Sequence, residues 1–243
     1  MMAERLTAMR GELHLNEPMA AHTSWRVGGP ARRYYRPADA DDLADFLRGL
    51  PAEEPVLWVG LGSNLLVRDG GIPGTVIAPF GGLGAIEALD DTTLRVEAGV
   101  ACAKVARQCA RRGLVGGEFL AGIPGTMGGA LAMNAGAFGG ETWQRVVAVE
   151  TLDHSGMRHQ REPREYRIAY RSVQGPDDEW FIAAHLKFER GDAESAQARI
   201  RELLDRRNRT QPTQQASCGS VFRNPPGDHA ARLIEAAGLK GTC

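Results

Sequence analysis

The groups in this chain best suited to chemistry are peptide amides rather than side chains. Residues 119–140 read FLAGIPGTMGGALAMNAGAFGG, 22 residues without a charge, of which seven are glycine. Uncharged length of that order would suit a membrane span. Pro124 interrupts it, however, and too few residues are large and apolar for a lipid-facing helix. Glycine is useful where backbone turns tightly or comes close to a ligand. Ile123-Pro124-Gly125-Thr126 predicts a turn entering a short helix, and amides at such a start bind phosphate. One reading is a backbone cradle for a large, phosphate-bearing ligand. The other is a tightly packed Gly/Ala turn with no ligand. So many glycines with almost no charge nearby favour the ligand.

Two earlier segments have the same character. Val56-Leu57-Trp58-Val59 predicts a short buried strand, and it opens into Gly60-Leu61-Gly62-Ser63-Asn64-Leu65-Leu66. Amides of such a loop are a second place to meet phosphate, although many hairpin loops share the pattern. Residues 23–30, TSWRVGGP, set Trp25 and Arg26 beside a glycine pair. An aromatic and a cation there suit a ring face and an anion. Taken alone, an ordinary strand-to-turn boundary explains the segment better.

The composition is that of a soluble globular protein: 243 residues, 43% hydrophobic and 24% charged. This length allows one large domain or two modest ones. A net charge of −1 provides no field to gather nucleic acid or an anionic membrane. The N-terminus lacks the apolar core of a secretory signal, so the cytoplasm is the expected compartment. Four scattered cysteines, Cys102, Cys109, Cys218 and Cys243, indicate neither a zinc site nor a disulfide framework, and no metal is expected. Cys102 and Cys109 fall two turns apart on a predicted helix and read as buried thiols.

The elements that must position these loops follow from local signals. Residues 1–20 read as a helix and then a loop through Asn16-Glu17-Pro18. Asp39 caps a helix running to Leu50, with Leu43, Phe46 and Leu47 at helical spacing. Strands are predicted at 75–78, 86–89 and 94–98, and a helix at 101–112 stopped by Gly113. Residues 146–152 and 157–160 flank Asp153-His154-Ser155-Gly156 as a hairpin. Residues 165–171 lead to a turn at Gly175-Pro176, followed by a long strand over 180–189. A helix over 192–209 carries acids early and bases late. Residues 216–224 read as a Gly/Ser turn entering a strand, and 228–237 as a helix stopped by Gly238. Short strands and helices without strict alternation argue an α+β fold. A boundary near residue 190 would leave too little beyond it for an independent core.

Together these segments resemble the UDP-N-acetylenolpyruvoylglucosamine reductase family, over about residues 13–241. The resemblance rests on TSWRVGG at 23–29, GLGSNLL at 60–66, AGIPGTMGGALAMNAGAFGGE at 121–141, Tyr170-Arg171, and GSVFRNP at 219–225. Each motif is weak; five in this order and spacing are specific. The resemblance implies a fold like that of vanillyl-alcohol oxidase (the PCMH type). Two lobes with a break near 75–80 would clamp non-covalent FAD within residues 1–190. Residues 191–243 would be an incomplete C-terminal α+β substrate lobe. There is no room between Arg171 and Trp180 for the long inserted loop with a substrate-binding Tyr that some members carry. The shorter, loop-lacking type is therefore implied.

The resemblance also implies roles. FAD contacts fall on Trp25, Arg26, Gly60, Gly62, Ser63, Asn64 and Leu65, and on Gly122, Ile123, Pro124, Gly125, Thr126, Gly128, Gly129, Asn134 and Gly136. NADPH would reduce the flavin, and the reduced flavin would pass hydride to C3 of the enolpyruvyl group of a UDP-sugar. The product is UDP-N-acetylmuramate, for peptidoglycan synthesis. Arg171 would stabilise the charge that builds on the substrate carboxylate, and Ser220 would protonate C2. Tyr170, Arg223 and Asn224 would bind substrate, with Arg223 meeting a substrate phosphate. The family pattern continues beyond Lys240-Gly241 with a segment carrying a catalytic Glu; the sequence reaches Cys243, so an incomplete substrate lobe is expected. A monomer without nucleic-acid or membrane partners is expected. Two alternatives stand beside this: a non-catalytic FAD-binding fragment, and a flavin oxidase of the same fold. Such oxidases often tether flavin through His, and His22 is the one His near a flavin motif.

Overall fold

In the computed structural model, which describes residues 9–211, 216, 219 and 221–242, strand β1 (Glu12–Pro18) runs antiparallel to β2 (Pro30–Arg36). A strand thus replaces the expected helix and loop; residues 1–8 of that expectation lie outside the described residues. The pairing from Glu12 with Arg36 to Pro18 with Pro30 satisfies this backbone, and Leu13 packs on the cluster around Leu43 and Leu47. Tertiary pairing decides where local preference is weak.

Helix α1 (Ala40–Gly49) begins as predicted. The Asp39 carboxylate accepts from the amides of Asp41 and Asp42, filling donors that a helix start leaves open. Its apolar face buries Leu43, Phe46 and Leu47 against Tyr35 and Ile77 of the first sheet and Leu152 and Ile182 of the second. Strands β3 (Val56–Trp58) and β4 (Ile72–Ile77) complete the first sheet, ordered β1-β2-β4-β3, with β4 parallel to both neighbours.

The chain then enters a second sheet through β5 (Ile86–Ala88) and β6 (Thr93–Glu97). Helix α2 (Cys102–Arg111) ends at Gly113, whose φ is 66°, and the two-residue strand β7 (Leu114–Val115) follows. Helix α3 (Met127–Ala132) and the small hairpin β8 (Gly136–Ala137) and β9 (Gly140–Glu141) form the glycine-rich stretch. Next come β10 (Val146–Asp153), β11 (Arg158–Arg161), the hairpin β12 (Arg167–Ala169) and β13 (Ser172–Gln174), and β14 (Glu179–Lys187). The second sheet is antiparallel, in the order β11-β10-β14-β6-β5.

Helices α2 and α3 pack on this sheet through Val105, Cys109, Met127 and Leu131, meeting Val96, Val149, Ala184 and Leu186. Cys102 and Cys109 are buried, as their spacing predicted, and burial pushes each thiol up to about 12. Strand β15 (Glu189–Arg190) pairs with β7, and helix α4 (Ala193–Thr210), capped by Asp192, buries Ala196, Ile200 and Leu203. Helix α5 (Ala230–Ala236) buries nothing and stops at Gly238. The strand expected within 216–224 is not formed by residues 221–224. No sheet edge pairs with them, and side-chain bonds hold them instead. Among the described residues no helix is long and apolar enough to cross a membrane.

Candidate cofactor and substrate site

Three loops meet where the two sheets face each other. The Ser24 amide donates to the Gly62 carbonyl at 3.1 Å. A Cβ at Gly62 (φ 62°) would overlap the His22 carbonyl, and one at Gly60 would overlap the Thr126 hydroxyl. A Cβ at Gly125 would lie 3.6 Å from Ser63 Oγ, an ordinary contact across open space. Segments 23–29, 60–66 and 123–129 are therefore brought together, as their sequence character anticipated.

Of the two places the sequence offers for open amides, the helix start and the loop at 60–66, only the loop leaves them open. At the start of α3, Met127 N–H donates to Val100 O and Gly128 N–H to Ala98 O, each at 2.8 Å, and Gly129 N–H points to the capping Thr126 hydroxyl at 3.5 Å. The helix start is fastened to residues 98–100, and a Cβ at Gly128 would already sit 3.0 Å from Ala98 Cβ. By contrast, no amide from Gly60 to Leu66 makes a close hydrogen bond to a partner among the described residues, where Ser63-Asn64 form only a loose turn, although Val59 N–H still pairs with Ile77 O. The amides of Gly125 and Thr126 are likewise unpaired. Leu61, Asn64 and Leu66 are exposed, so these donors are open to water or to an anion. A continuous row of them makes an anion cradle, one loop away from the predicted helix start.

The central glycines divide into two groups. Thr126, Gly128 and Gly129 line a cavity of about 280 Å³. Gly122 is a packing position, because a Cβ there would overlap the Phe138 ring. Gly136 packs against the Gly140 carbonyl and the Glu141 side chain, and Ile123 is buried in the core. Asn134 is buried with φ 40°, its Nδ2 donating to Glu141 at 2.9 Å and its Oδ1 accepting from Trp143 N–H at 3.2 Å. Its side chain shapes the loop from inside.

The cavity's walls hold residues that sequence reasoning missed: Trp58, Pro79, Trp180 and Phe181. Trp58 and Trp180 stack with centroids 5.7 Å apart across the two sheets. The position of Trp58 just before the glycine loop was the available signal; for Trp180 there was none. The indole Nε1 atoms of Trp25 and Trp58 are buried without partners, an uncommon state for a donor. An unpaired amide row, open space at Gly125 and an aromatic cavity between sheets fit a dinucleotide such as FAD. Arg26 is exposed at φ 58° with its amide bonded to Thr23 O. His22 is not poised as a covalent tether: its Nε2 pairs with Glu17 at 2.8 Å, its Nδ1 with the Tyr34 hydroxyl at 3.1 Å.

A second cluster forms at the tip of hairpin β12–β13. Ala169 pairs with Ser172, leaving Tyr170 and Arg171 as a two-residue turn. Arg171 has φ 53°, and its guanidinium lies 5.5 Å from the Tyr170 ring centroid. Arg171 Nη1 donates to Phe222 O at 3.1 Å, and Arg223 Nη2 donates to Arg171 O at 3.3 Å. An open cavity beside them, about 540 Å³, is lined by Tyr170, Asn224, Pro225 and His229. Asn224 Oδ1 accepts from the Ala230 amide at 3.1 Å, closing the start of α5. Tyr170, Arg171, Arg223 and Asn224 are thus gathered from distant segments; Ser220 lies outside the described residues. Val173, on the same hairpin as Arg171, lines the first cavity, so one element joins the two clusters.

This combination defines an FAD-binding oxidoreductase of α+β, PCMH-type fold, and the FAD binding domain family matches residues 31–160. Residues 211–243 match the C-terminal domain of UDP-N-acetylenolpyruvoylglucosamine reductase. The chain is 62% identical over 241 residues to the UDP-N-acetylenolpyruvoylglucosamine reductase of Alkalilimnicola ehrlichii, covering 99% of this chain and 80% of that one. It is 57% identical to the protein of that name from Legionella pneumophila, with coverage of 99% and 78%. The crystal structure of UDP-N-acetylenolpyruvylglucosamine reductase (MurB) from Thermus caldophilus superposes with a TM-score of 0.79 at 35% identity, over 95% of this chain and 81% of that one. The structure of 6-hydroxy-D-nicotine oxidase from Arthrobacter nicotinovorans shares the fold alone, with a TM-score of 0.56 at 18% identity, over 75% and 43%. The chain belongs to the UDP-N-acetylenolpyruvoylglucosamine reductase family.

Proposed function

We propose that the protein reduces UDP-N-acetylglucosamine enolpyruvate to UDP-N-acetylmuramate with NADPH, as a monomer in the cytoplasm, in the synthesis of peptidoglycan. The observation that carries this reading is Arg171, held at the tip of a hairpin whose other strand lines the aromatic cavity. FAD, when bound, supplies hydride transfer between a nicotinamide and a carbon centre. The chain's own residues do the rest. The amides of Gly60 to Leu66, with Gly125 and Thr126, would hold the cofactor's diphosphate, and the cavity walled by Trp58 and Trp180 would take a flat ring. Reduction of the enolpyruvyl ether builds negative charge on C2 and its carboxylate. The Arg171 guanidinium, a planar and permanently charged fork, binds that carboxylate and stabilises the charge. Ser220 delivers the proton to C2, with its weak acidity raised by neighbouring charge. Tyr170 and Asn224 meet the sugar nucleotide in the open cavity. Residues 1–190 form the FAD part and 191–243 the substrate part, with α4 docking the second onto the first.

The test is anaerobic. The purified chain should be yellow, bleach with NADPH, and regain its oxidised spectrum on addition of the UDP-sugar enolpyruvate. A flavin that NADPH bleaches but the UDP-sugar leaves reduced overturns the substrate assignment.

A further inference from the structure

Arg171 stands in a conformation its side chain does not favour. Its φ of 53° is left-handed, at the second position of a two-residue turn between Ala169 and Ser172. Glycine takes that position at little cost, whereas a long side chain keeps it only where the surroundings impose it. The hairpin itself is a weak constraint: β12 and β13 share three residue pairs, too few for a two-stranded ribbon to be stable by itself. The backbone of Arg171 must therefore be held from outside the hairpin.

Arg223 supplies such a hold. Its Nη2 donates to the main-chain carbonyl of Arg171, 52 residues away in sequence, at 3.3 Å. In return Arg171 Nη1 donates to the carbonyl of Phe222 at 3.1 Å. Each arginine ties down the backbone that carries the other. The Arg223 Nη2 is thus engaged by the main chain that carries Arg171, while both arginines stand beside, and not among, the walls of the open cavity lined by Tyr170 and Asn224.

We propose that Arg223 is a positioning residue for the reduction. It fixes the carbonyl, and with it the left-handed backbone, of Arg171, so that the Arg171 guanidinium is presented to the substrate carboxylate; it is not a phosphate contact. This rests on the reductase reading above. A phosphate contact acts on substrate binding, whereas a residue that acts through Arg171 affects the step in which charge develops. Its effect also disappears once the Arg171 side chain is gone.

The experiment is a double-mutant cycle on the full chain, following NADPH oxidation against UDP-sugar concentration, with FAD content measured for each variant. Arg223→Ala should lower kcat roughly tenfold, the size of one lost charge-assisted bond, and leave KM within about twofold. Arg223→Lys, which keeps a donor, should restore most of the rate. In an Arg171→Ala background, Arg223→Ala should change kcat by less than about twofold. If Arg223→Ala loses FAD, Arg223→Met, which keeps length and removes the donors, carries the same cycle. A raised KM at unchanged kcat, or losses that multiply in the double variant, overturns the proposal and leaves the reductase reading standing. A wild-type protein whose reduced flavin the UDP-sugar does not reoxidise overturns the reductase reading and removes the basis of the proposal.

Discussion

The loop carrying Gly125 is fastened through main chain on both sides: Cys102 N–H donates to Gly125 O at 2.9 Å, and Met127 N–H to Val100 O at 2.8 Å. Behind it Thr126 is buried and caps α3. The turn carrying Arg171 is tied differently, through arginine side chains reaching carbonyls. Its neighbours Val221 and Phe222 are 66% and 63% exposed, and α5 beyond them buries no residue. On the function proposed above, the contrast follows what each end would have to do. A cofactor that stays bound gains most from a cradle already in shape, because no ordering is charged against its affinity. Reactants that enter and leave in every cycle need a side that can open, and such segments come from the less stable end of a protein's range.

The sharpest way to break this comparison is at Gly125. A Cβ there meets nothing closer than Ser63 Oγ at 3.6 Å, so Gly125→Val fits the empty protein and fills the cradle. FAD affinity should fall by about a hundredfold or more, with the melting temperature of the flavin-free protein within about 2 °C of wild type. Gly60→Ala should behave otherwise. Its Cβ overlaps the capping Thr126 hydroxyl, so stability and FAD should be lost together. Flavin titration and thermal unfolding separate the two. A Gly125→Val protein that binds FAD normally would show that the cofactor does not approach this loop.

Local chemistry explains which parts of this arrangement could be read in advance. The Asp39 cap, the apolar spacing of α1, the left-handed helix stops at Gly113 and Gly238 and the hairpin turn through Gly156 are each set within a few residues, and each was legible. The loop at 60–66 was legible for the same reason. The strand β1 was not: the alternation in ELHLNEP rests on only two apolar residues, and its partner β2 lies a dozen residues on. The hairpin tip was hidden because Arg171, not Gly or Asn, fills its left-handed position. The use of the α3 amides depends on carbonyls of Ala98 and Val100, and the pairing of Trp58 with Trp180 depends on two sheets meeting. Neither leaves a trace in the spacing of residues. For the same reason the glycines of the central segment could be counted but not divided into those that pack and those that leave space.

A smaller effect is expected at helix α1, within the well-packed part of the molecule. The buried Asp42 carboxylate accepts from the Tyr35 hydroxyl at 2.6 Å and from the amides of Ala38 and Arg10, each at 2.8 Å. Burial pushes this carboxyl up, but those hydrogen bonds outweigh it and hold Asp42 below the usual carboxylate range. The folded-state value is thus the lower one. The stabilisation is present above the unfolded value near pH 4 and fades as pH falls through the folded one. Asp42→Asn should therefore cost about 2 kcal/mol at pH 7, with the difference from wild type narrowing from pH 4 downward. Urea unfolding at a series of pH values measures it. A constant difference would mean that the site senses the shape of the residue and not its charge.

The smallest effect belongs to α5, where the comparison can be tested by what fails to happen. Seven residues are far short of the length at which a helix is stable alone. Its hydrogen bonds to neighbouring segments are local: Asn224 Oδ1 closes its start, and Gly238, at φ 70°, ends it. Leu233 is 42% exposed, so Leu233→Asn removes little buried area and should change the unfolding free energy by less than about 0.5 kcal/mol. Amides of α5 should exchange with solvent by local opening, while those of α3, packed on the second sheet, should exchange only in larger openings. Peptide-resolved hydrogen exchange reads both helices in one experiment. Equal protection in α5 and α3 would show that something covers the exposed face of α5. The contrast between an anchored cofactor side and a lightly held substrate side would then be wrong.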